Sequence, residues 1–177
     1  MNDQLILAVD KNGRFTGHYV SRTAAHAGDG IRHLALTLFL FNRRGELLLQ
    51  RRRHRVFDNI WDNTASTHQH HTDEGRDETD AEAAARCLRR EWGIGPVALT
   101  DHGGFNYFAR CGELCENEHC RVMTGQHDGP IRMDPEIAYE YRWLEKPAFR
   151  RELEQQPEQY SPWCRAAARL LAEQGVL

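Results

Sequence analysis

The feature that most constrains the fold of this chain is one strong helical segment set among strand-forming runs. Residues 79–93 open with Thr79 and Glu82 in the Thr-x-x-Glu spacing of a capping box and continue as "DAEAAARCLRREW", which is rich in helix formers. Gly93 follows, where a C-terminal cap belongs. Because most of the preceding sequence reads as strand, this helix predicts a sheet with helices packed on it.

The other apolar runs predict the strands of that sheet. "LILAV", "HLALTLFLF" and "ELLLQR" read as strands; "KNGR" offers the Asn-Gly chemistry of a hairpin turn, and "NRRG" joins the last two strands. Further strands are predicted at "GFNYFAR", around "ENEHCRVM" and at "YEYRWL". Ser161 followed by Pro162 predicts the start of a last helix. We expect an α+β fold in a single domain over residues 1–177, a length that one core can serve.

Charge and hydropathy exclude several classes of protein. A formal net charge of -3 argues against a general nucleic-acid binder. The longest apolar stretch, residues 34–41, is too short to span a bilayer, and the sequence shows no secretory leader. The five cysteines contain no CxxC pair, so they do not predict a disulfide scaffold. We expect a cytoplasmic monomer or homodimer with no membrane span and no nucleic-acid partner.

Positive charge is concentrated in residues 51–55, which read "RRRHR". A solvated turn between two elements explains such a run. The alternative is an anion site, because guanidinium groups match the geometry of phosphate oxygens. The run alone favours the solvated turn over the anion site.

Three glutamates are candidates for metal chemistry. Glu91 shares the buried face of the predicted helix with Leu88, so its carboxylate needs either an arginine or a metal ion as partner. Glu116 and Glu118 alternate, so on a strand they point to the same side, roughly 7 Å apart. They belong either to an exposed strand face or to a pair that holds a cation.

Histidines add to this set. His26 and His33 flank the flexible stretch "AGDGIR", and "WDNTASTHQHH" contributes His68, His70 and His71. Loop histidines at the surface are the ordinary explanation. A mixed set of histidines and glutamates in one small domain suits a transition metal such as zinc or manganese.

Taken in order, these segments resemble type 1 isopentenyl diphosphate isomerases, a branch of the Nudix superfamily. The resemblance rests on "AAHAGDGIRHLALTLFLFNRRGELLLQRR", "WDNTASTHQH", "EAAARCLRREWGI", "FNYFAR" with "ENEHC", and "SPW". They follow the family's order across nearly the whole chain. The resemblance implies a Nudix-like mixed β-sheet flanked by α-helices, an α/β/α sandwich.

The resemblance also implies roles for individual residues. The ligands of a zinc or manganese ion would be His26, His33, His68, Glu116 and Glu118. Glu91 would hold Mg²⁺ bound with the diphosphate of a prenyl diphosphate substrate, and Arg51, Arg52 and Arg55 would contact that diphosphate. Glu118 and Tyr107 would supply a proton to the substrate alkene, and the Trp163 ring would face the resulting carbocation. His70 and His71 would remain loop residues.

Two departures from the family pattern bear on the activity. Ser66 stands where the isomerases have the cysteine that exchanges a proton on the opposite face, and a serine hydroxyl is a far poorer base than a thiolate. The Nudix box is degenerate and keeps Glu91. The expected activity is conversion of isopentenyl to dimethylallyl diphosphate. The alternatives are a divergent prenyl diphosphate cyclase or isomerase, a Nudix-type diphosphohydrolase, and an inactive diphosphate-binding protein.

Overall fold

A computed structural model describes residues 3–177 of the chain. In this range the strands are β1 (Leu5–Val9), β2 (Phe15–Ser21), β3 (His33–Phe41), β4 (Glu46–Arg52), β5 (Trp61–Asp62), β6 (Ala65–Thr67), β7 (Leu99–Cys111), β8 (Leu114–Gln126) and β9 (Ala138–Glu145). The helices are α1 (Arg22–His26), α2 (Asp80–Trp92), α3 (Lys146–Gln155) and α4 (Pro162–Glu173), with a 3-10 turn at Pro157–Gln159.

The strands form one mixed sheet in which β3 is central. The order β2-β1-β3-β4-β5 is extended by β6 and β8 on β3, by β7 on β8 and by β9 on β4. The pairing of β3 with β8 is parallel and sets His33 beside Glu118, whereas β3 and β6 run antiparallel with Thr37 opposite Ser66. These two pairings bring the predicted metal ligands and Ser66 to the same end of the sheet.

Alternation along β3 separates two cores. Leu36 and Leu38 face α2 and pack with Leu88 and Trp92. Phe39 faces the other side of the sheet and packs with residues of α3 and α4, including Phe149. Because side chains on a strand alternate between its faces, one apolar run serves both layers. The expected α+β fold with helices on both faces of a mixed sheet is confirmed.

Both predicted helices begin where the sequence indicates, and α2 also ends there. The Thr79 hydroxyl accepts from the Glu82 backbone N–H, the Glu82 carboxylate accepts from the Thr79 N–H, and Gly93 adopts the left-handed conformation with φ of 64°. At α4 the Ser161 hydroxyl accepts from the backbone N–H of Cys164. Both capping predictions are confirmed.

Several elements lack a local signal strong enough to predict them. The helix α1 and the strands β5 and β6 are short, and α3 is marked mainly by Pro147 in its first turn. The strands β3 and β4, joined at "NRRG", pair where Phe41 faces Leu47. The rest of β3 lies beside β8, and its middle residues also pair with β6.

Within residues 3–177, the structure has no helix with the length and apolar character needed to cross a membrane.

Candidate functional site

A cavity of about 570 Å³ opens at the end of the sheet where β6, β8, α1, the C-terminal half of α2 and the first turn of α4 converge. Most of the residues singled out in the sequence line it: His26, Arg52, Arg55, Ser66, His68, Glu91, Tyr107, Glu116, Glu118 and Trp163. His33 is fully buried beside this group. Arg51 lies outside the cavity lining, because successive residues of β4 point to opposite faces and its guanidinium pairs with Glu140 at 2.8 Å.

The predicted metal ligands form one compact cluster. One ligand atom from each of five side chains lies within 4.8 Å of every other. These side chains are His26, His33, His68, Glu116 and Glu118. The closest contacts join His26 Nε2 to Glu116 Oε2 at 3.0 Å and His68 Nε2 to Glu118 Oε1 at 3.0 Å.

Backbone hydrogen bonds orient two of the imidazoles toward the cluster. His26 Nδ1 lies 2.7 Å from the Arg22 carbonyl oxygen, and His33 Nδ1 lies 2.8 Å from that of Ile31. A carbonyl oxygen only accepts, so each Nδ1 carries a proton and each Nε2 is the nitrogen that faces the other ligands. Loss of the proton from Nε2 would leave the tautomer that binds a metal ion through this nitrogen.

Burial and neighbouring charges tune the cluster. Burial acts against the charge on Glu118, yet hydrogen bonds from His33 and His68 hold its pKa well below the usual value. Burial and the charge on Glu118 raise the pKa of Glu116, and burial lowers the pKa of His68 to about 3. Three imidazoles beside two carboxylates are a donor set of the kind that zinc or manganese binds, so these residues fit such an ion.

Tyr107 extends the cluster toward the centre of the cavity. Its hydroxyl donates to Glu118 Oε2, while Oε1 of the same carboxylate faces His33 and His68. Burial and the Glu118 carboxylate raise the pKa of Tyr107 well above its usual value. Glu118 therefore connects the potential metal ligands to a proton-bearing group at the cavity wall.

Glu91 lies on α2 at the other side of the cavity. Its Oε1 accepts from Arg90 at 2.6 Å, and its buried Oε2 has no hydrogen-bond partner among residues 3–177. Burial raises the pKa of Glu91 despite the charge of Arg90. A buried carboxylate oxygen without a partner fits a hard cation such as Mg²⁺.

The cavity is also rich in positive charge. Besides Arg52 and Arg55 it is lined by three arginines that the sequence interpretation had not singled out: Arg22, Arg86 and Arg90. Arg86 and Arg90 lie one helical turn apart on α2, near Glu91. Residues with this spacing share a helix face, so the spacing is a sequence signal from which both arginines could be predicted. Such a set of guanidinium groups favours an anionic ligand.

Ser66 and Trp163 complete the cavity wall. The Ser66 hydroxyl accepts from Asn63 Nδ2 at 3.1 Å. The indole of Trp163 contacts Tyr107 with 6.1 Å between ring centroids, and the Arg52 guanidinium carbon lies 4.8 Å from the Trp163 centroid. An aromatic face beside a proton donor is suited to a cationic intermediate.

The two remaining histidines differ in position. His70 lines the cavity, and its backbone N–H donates to Glu78. His71 pairs with Asp77 at 2.7 Å and stacks on Tyr19. Neither belongs to the five-residue ligand cluster.

Comparison with known proteins identifies the class to which this fold and cavity belong. The family model for the Nudix domain matches residues 31–164. A solved structure of DR0079 from Deinococcus radiodurans is 18% identical and superposes with a TM-score of 0.71, covering 94% of this chain and 98% of that one. Such a likeness concerns the fold, and the chain belongs to the Nudix family.

Curated relatives define the branch within that family. Isopentenyl-diphosphate Delta-isomerase 1 of Aromatoleum aromaticum is 35% identical over 94% of this chain and 90% of the relative. Isopentenyl-diphosphate Delta-isomerase of Halorhodospira halophila is also 35% identical, over 97% of this chain and 95% of the relative. The chain therefore belongs to the isopentenyl-diphosphate Delta-isomerase family, and the expectation of an enzyme of this isomerase-like kind is confirmed.

Proposed function

We propose that this protein converts isopentenyl diphosphate to dimethylallyl diphosphate by metal-dependent protonation of the substrate alkene. The observation that supports this most directly is the dual position of Glu118. One carboxylate oxygen belongs to the His/Glu cluster, and the other accepts from Tyr107 at the cavity wall. The relatives named as isopentenyl-diphosphate Delta-isomerases support the same reaction.

Each part of the cavity has a task in this reaction. Arg52 and Arg55, with Arg22, Arg86 and Arg90, bind the anionic diphosphate. An ion held by His26, His33, His68, Glu116 and Glu118 would make a proton on Glu118 more acidic, and Mg²⁺ held by Glu91 would offset the diphosphate charge.

Glu118 and Tyr107 deliver a proton to the terminal alkene carbon, which leaves a tertiary carbocation at the neighbouring carbon. Trp163 stabilises that cation through its ring face and helps to exclude water. Loss of a proton from the carbon on the diphosphate side then gives the product. Ser66, which also lines the cavity, is the group that we assign to accept this proton.

A divergent prenyl diphosphate cyclase or isomerase is the second candidate, and Ser66 is the observation that favours it. A hydroxyl held by Asn63 is a weak base, so the carbocation in such an enzyme would be resolved by another group, by water or by a second double bond. The first proton transfer from Glu118 and Tyr107 would be the same.

Two further alternatives are less well supported. A diphosphohydrolase needs clustered carboxylates around its metals, but Glu78 is engaged by Arg86 and Glu82 by Arg76 and the helix cap. An inactive binding protein would retain diphosphate affinity without turnover. Release of inorganic phosphate or diphosphate would identify the hydrolase.

Isomerisation in deuterated water tests the proposal. The purified protein, with Mg²⁺ and isopentenyl diphosphate, is expected to form dimethylallyl diphosphate carrying deuterium in a methyl group. Chelator treatment and Glu118→Gln should both abolish product formation. Glu113→Gln, an exposed glutamate on the same β7–β8 hairpin, serves as the matched control and should retain activity. A fully active Glu118→Gln variant would exclude the protonation mechanism.

A further inference from the structure

Asp62 on β5 is a buried carboxylate to which the mechanism above gives no task. Its side chain is fully shielded from solvent. Oδ2 accepts from Arg52 Nη1 at 2.8 Å, and Oδ1 accepts from the Ser161 hydroxyl at 2.5 Å and from the Asn63 backbone N–H at 2.9 Å. A buried charge persists only with such partners, so the position of Asp62 is tightly specified.

The contact with Asp62 determines where the Arg52 guanidinium lies. Arg52 is only 12% exposed, and its guanidinium carbon lies over the Trp163 ring at 4.8 Å from the centroid. One N–H of the guanidinium is thus bound to a carboxylate while its carbon lies over an indole. Arg52 and Trp163 both line the cavity, so this arrangement forms part of its wall.

The same carboxylate also fixes the start of α4. Ser161, which donates to Asp62, accepts from the backbone N–H of Cys164 as the N-cap of that helix. Its own backbone N–H donates to the Trp61 carbonyl on β5. Trp163 lies in the first turn of α4, so Asp62 links the backbone that carries Trp163 to the strand that carries Arg52.

We propose that Asp62 is a positioning residue for the anion site of the cavity. It holds the Arg52 guanidinium over Trp163, so that the remaining N–H groups of Arg52 bind phosphate oxygens. It also balances a positive charge that would otherwise lie uncompensated beside the aromatic wall. The inference rests on the proposed function only in taking the anion to be a prenyl diphosphate.

The neighbouring residue on β4 provides a matched control. Arg51 pairs with Glu140 at the same distance, 2.8 Å, but these side chains are 38% and 51% exposed and lie outside the cavity lining. Exposed pairs of this kind contribute little to position or stability. Glu140→Gln therefore removes a carboxylate from an arginine on the same strand without touching the anion site.

A ligand-free measurement tests the positioning directly. The Arg52 Nε–H is buried, so it should give a protected side-chain signal in ¹H–¹⁵N NMR spectra, shifted by the Trp163 ring and identified by its loss in Arg52→Lys. Asp62→Asn preserves shape but removes charge, and should move this signal and speed its exchange. Glu140→Gln should leave it unchanged.

Ser161→Ala provides a second variant that keeps the buried charge pair and removes one of the two hydrogen bonds to Asp62 Oδ1. It should move the Arg52 signal in the same direction as Asp62→Asn, by a smaller amount. It also keeps the positioning testable if Asp62→Asn does not fold. An Arg52 signal that stays unmoved in every folded variant of Asp62 or Ser161 overturns the inference.

Binding of dimethylallyl diphosphate in the presence of Mg²⁺ tests the consequence for the anion site. We expect Asp62→Asn to weaken binding roughly tenfold or more, as a displaced binding group does. Arg52→Lys should show a similar loss of affinity. The double variant, Asp62→Asn with Arg52→Lys, should bind no more weakly than the weaker-binding single variant. Additive losses, or unchanged affinity in folded Asp62→Asn, contradict the inference. A wild type that binds but does not isomerise would defeat the proposed function alone.

Discussion

Ser66 is the residue on which the fate of the carbocation depends. Its hydroxyl lines the cavity and is held by Asn63, at the position where the family resemblance implies a cysteine. If the chain is an isomerase with a slow second proton transfer, Ser66→Cys should raise the isomerisation rate about tenfold or more, because a thiol titrates nearer to neutral pH than an alcohol.

The measurement is the initial rate and the product profile with isopentenyl diphosphate, with Ser66→Ala as the control that removes the hydroxyl. Serine and cysteine are close in size, so thermal stability should change little. A Ser66→Cys variant that is no faster, or that diverts a longer substrate to simple isomers, would favour the divergent cyclase or isomerase over the proposed reaction.

At the scale of elements, α2 supplies the second candidate metal position. Glu91 is buried on the face toward the cavity, and one of its oxygens lacks a partner among residues 3–177. Glu91→Gln should weaken Mg²⁺-dependent binding of dimethylallyl diphosphate roughly tenfold, since it removes the charge of a hard-cation ligand while keeping its size.

Titration calorimetry at fixed Mg²⁺ measures this effect, and far-UV circular dichroism verifies that the helix persists. Glu173→Gln, an exposed glutamate at the end of α4, is a suitable control for the loss of one negative charge. Unchanged affinity of Glu91→Gln would mean that the magnesium-bound diphosphate lies elsewhere.

Elements with strong local patterns could be predicted from the sequence, and elements formed by distant contacts could not. The capping box and Gly93 determine α2 locally, and the apolar run from His33 to Phe41 determines β3. The short strand β6 exists because β3 provides its partner, so nothing within its three residues specifies it.

The same limit applies to the candidate site. The family resemblance identified single residues such as His33 and Glu118, but only the parallel register of β3 and β8 brings them together. Arg22 and Asp62 could not be predicted, because side chains that are distant in sequence meet at this cavity and no local sequence pattern marks them. The sequence gives no reason to distinguish Arg51 from Arg52. In the structure their side chains point to opposite faces of β4, so Arg51 pairs with exposed Glu140 and Arg52 with buried Asp62.

For the whole molecule, partly buried histidines with lowered pKa values make stability depend on pH. Burial and the charge of Arg52 lower the pKa of His54 to about 4, and burial and Arg86 lower that of His70 to about 4. An unfolded histidine titrates near pH 6.5. Between about pH 6.5 and 4 the unfolded chain therefore binds more protons than the folded one, and acidification through this range destabilises the fold.

We expect the melting temperature of metal-free protein to fall between pH 7 and pH 5, and His54→Gln to show a smaller fall because one such histidine is removed. Thermal unfolding followed by circular dichroism at both pH values measures this. His18→Gln, at an exposed position on β2, should behave like the wild type. An identical fall in wild type and His54→Gln would show that His54 does not contribute.

The parallel pairing of β3 with β8 also determines when the metal-ligand cluster can form during folding. His33 and Glu118 lie far apart in the chain. A contact between such distant segments costs more loop-closure entropy than a local contact, which slows its formation. We therefore expect the cluster to be completed late in the folding reaction. An ion bound there would lower the rate of unfolding and leave the rate of folding nearly unchanged. The metal-bound protein would therefore stay folded longer than the metal-free protein, although both would fold at nearly the same rate.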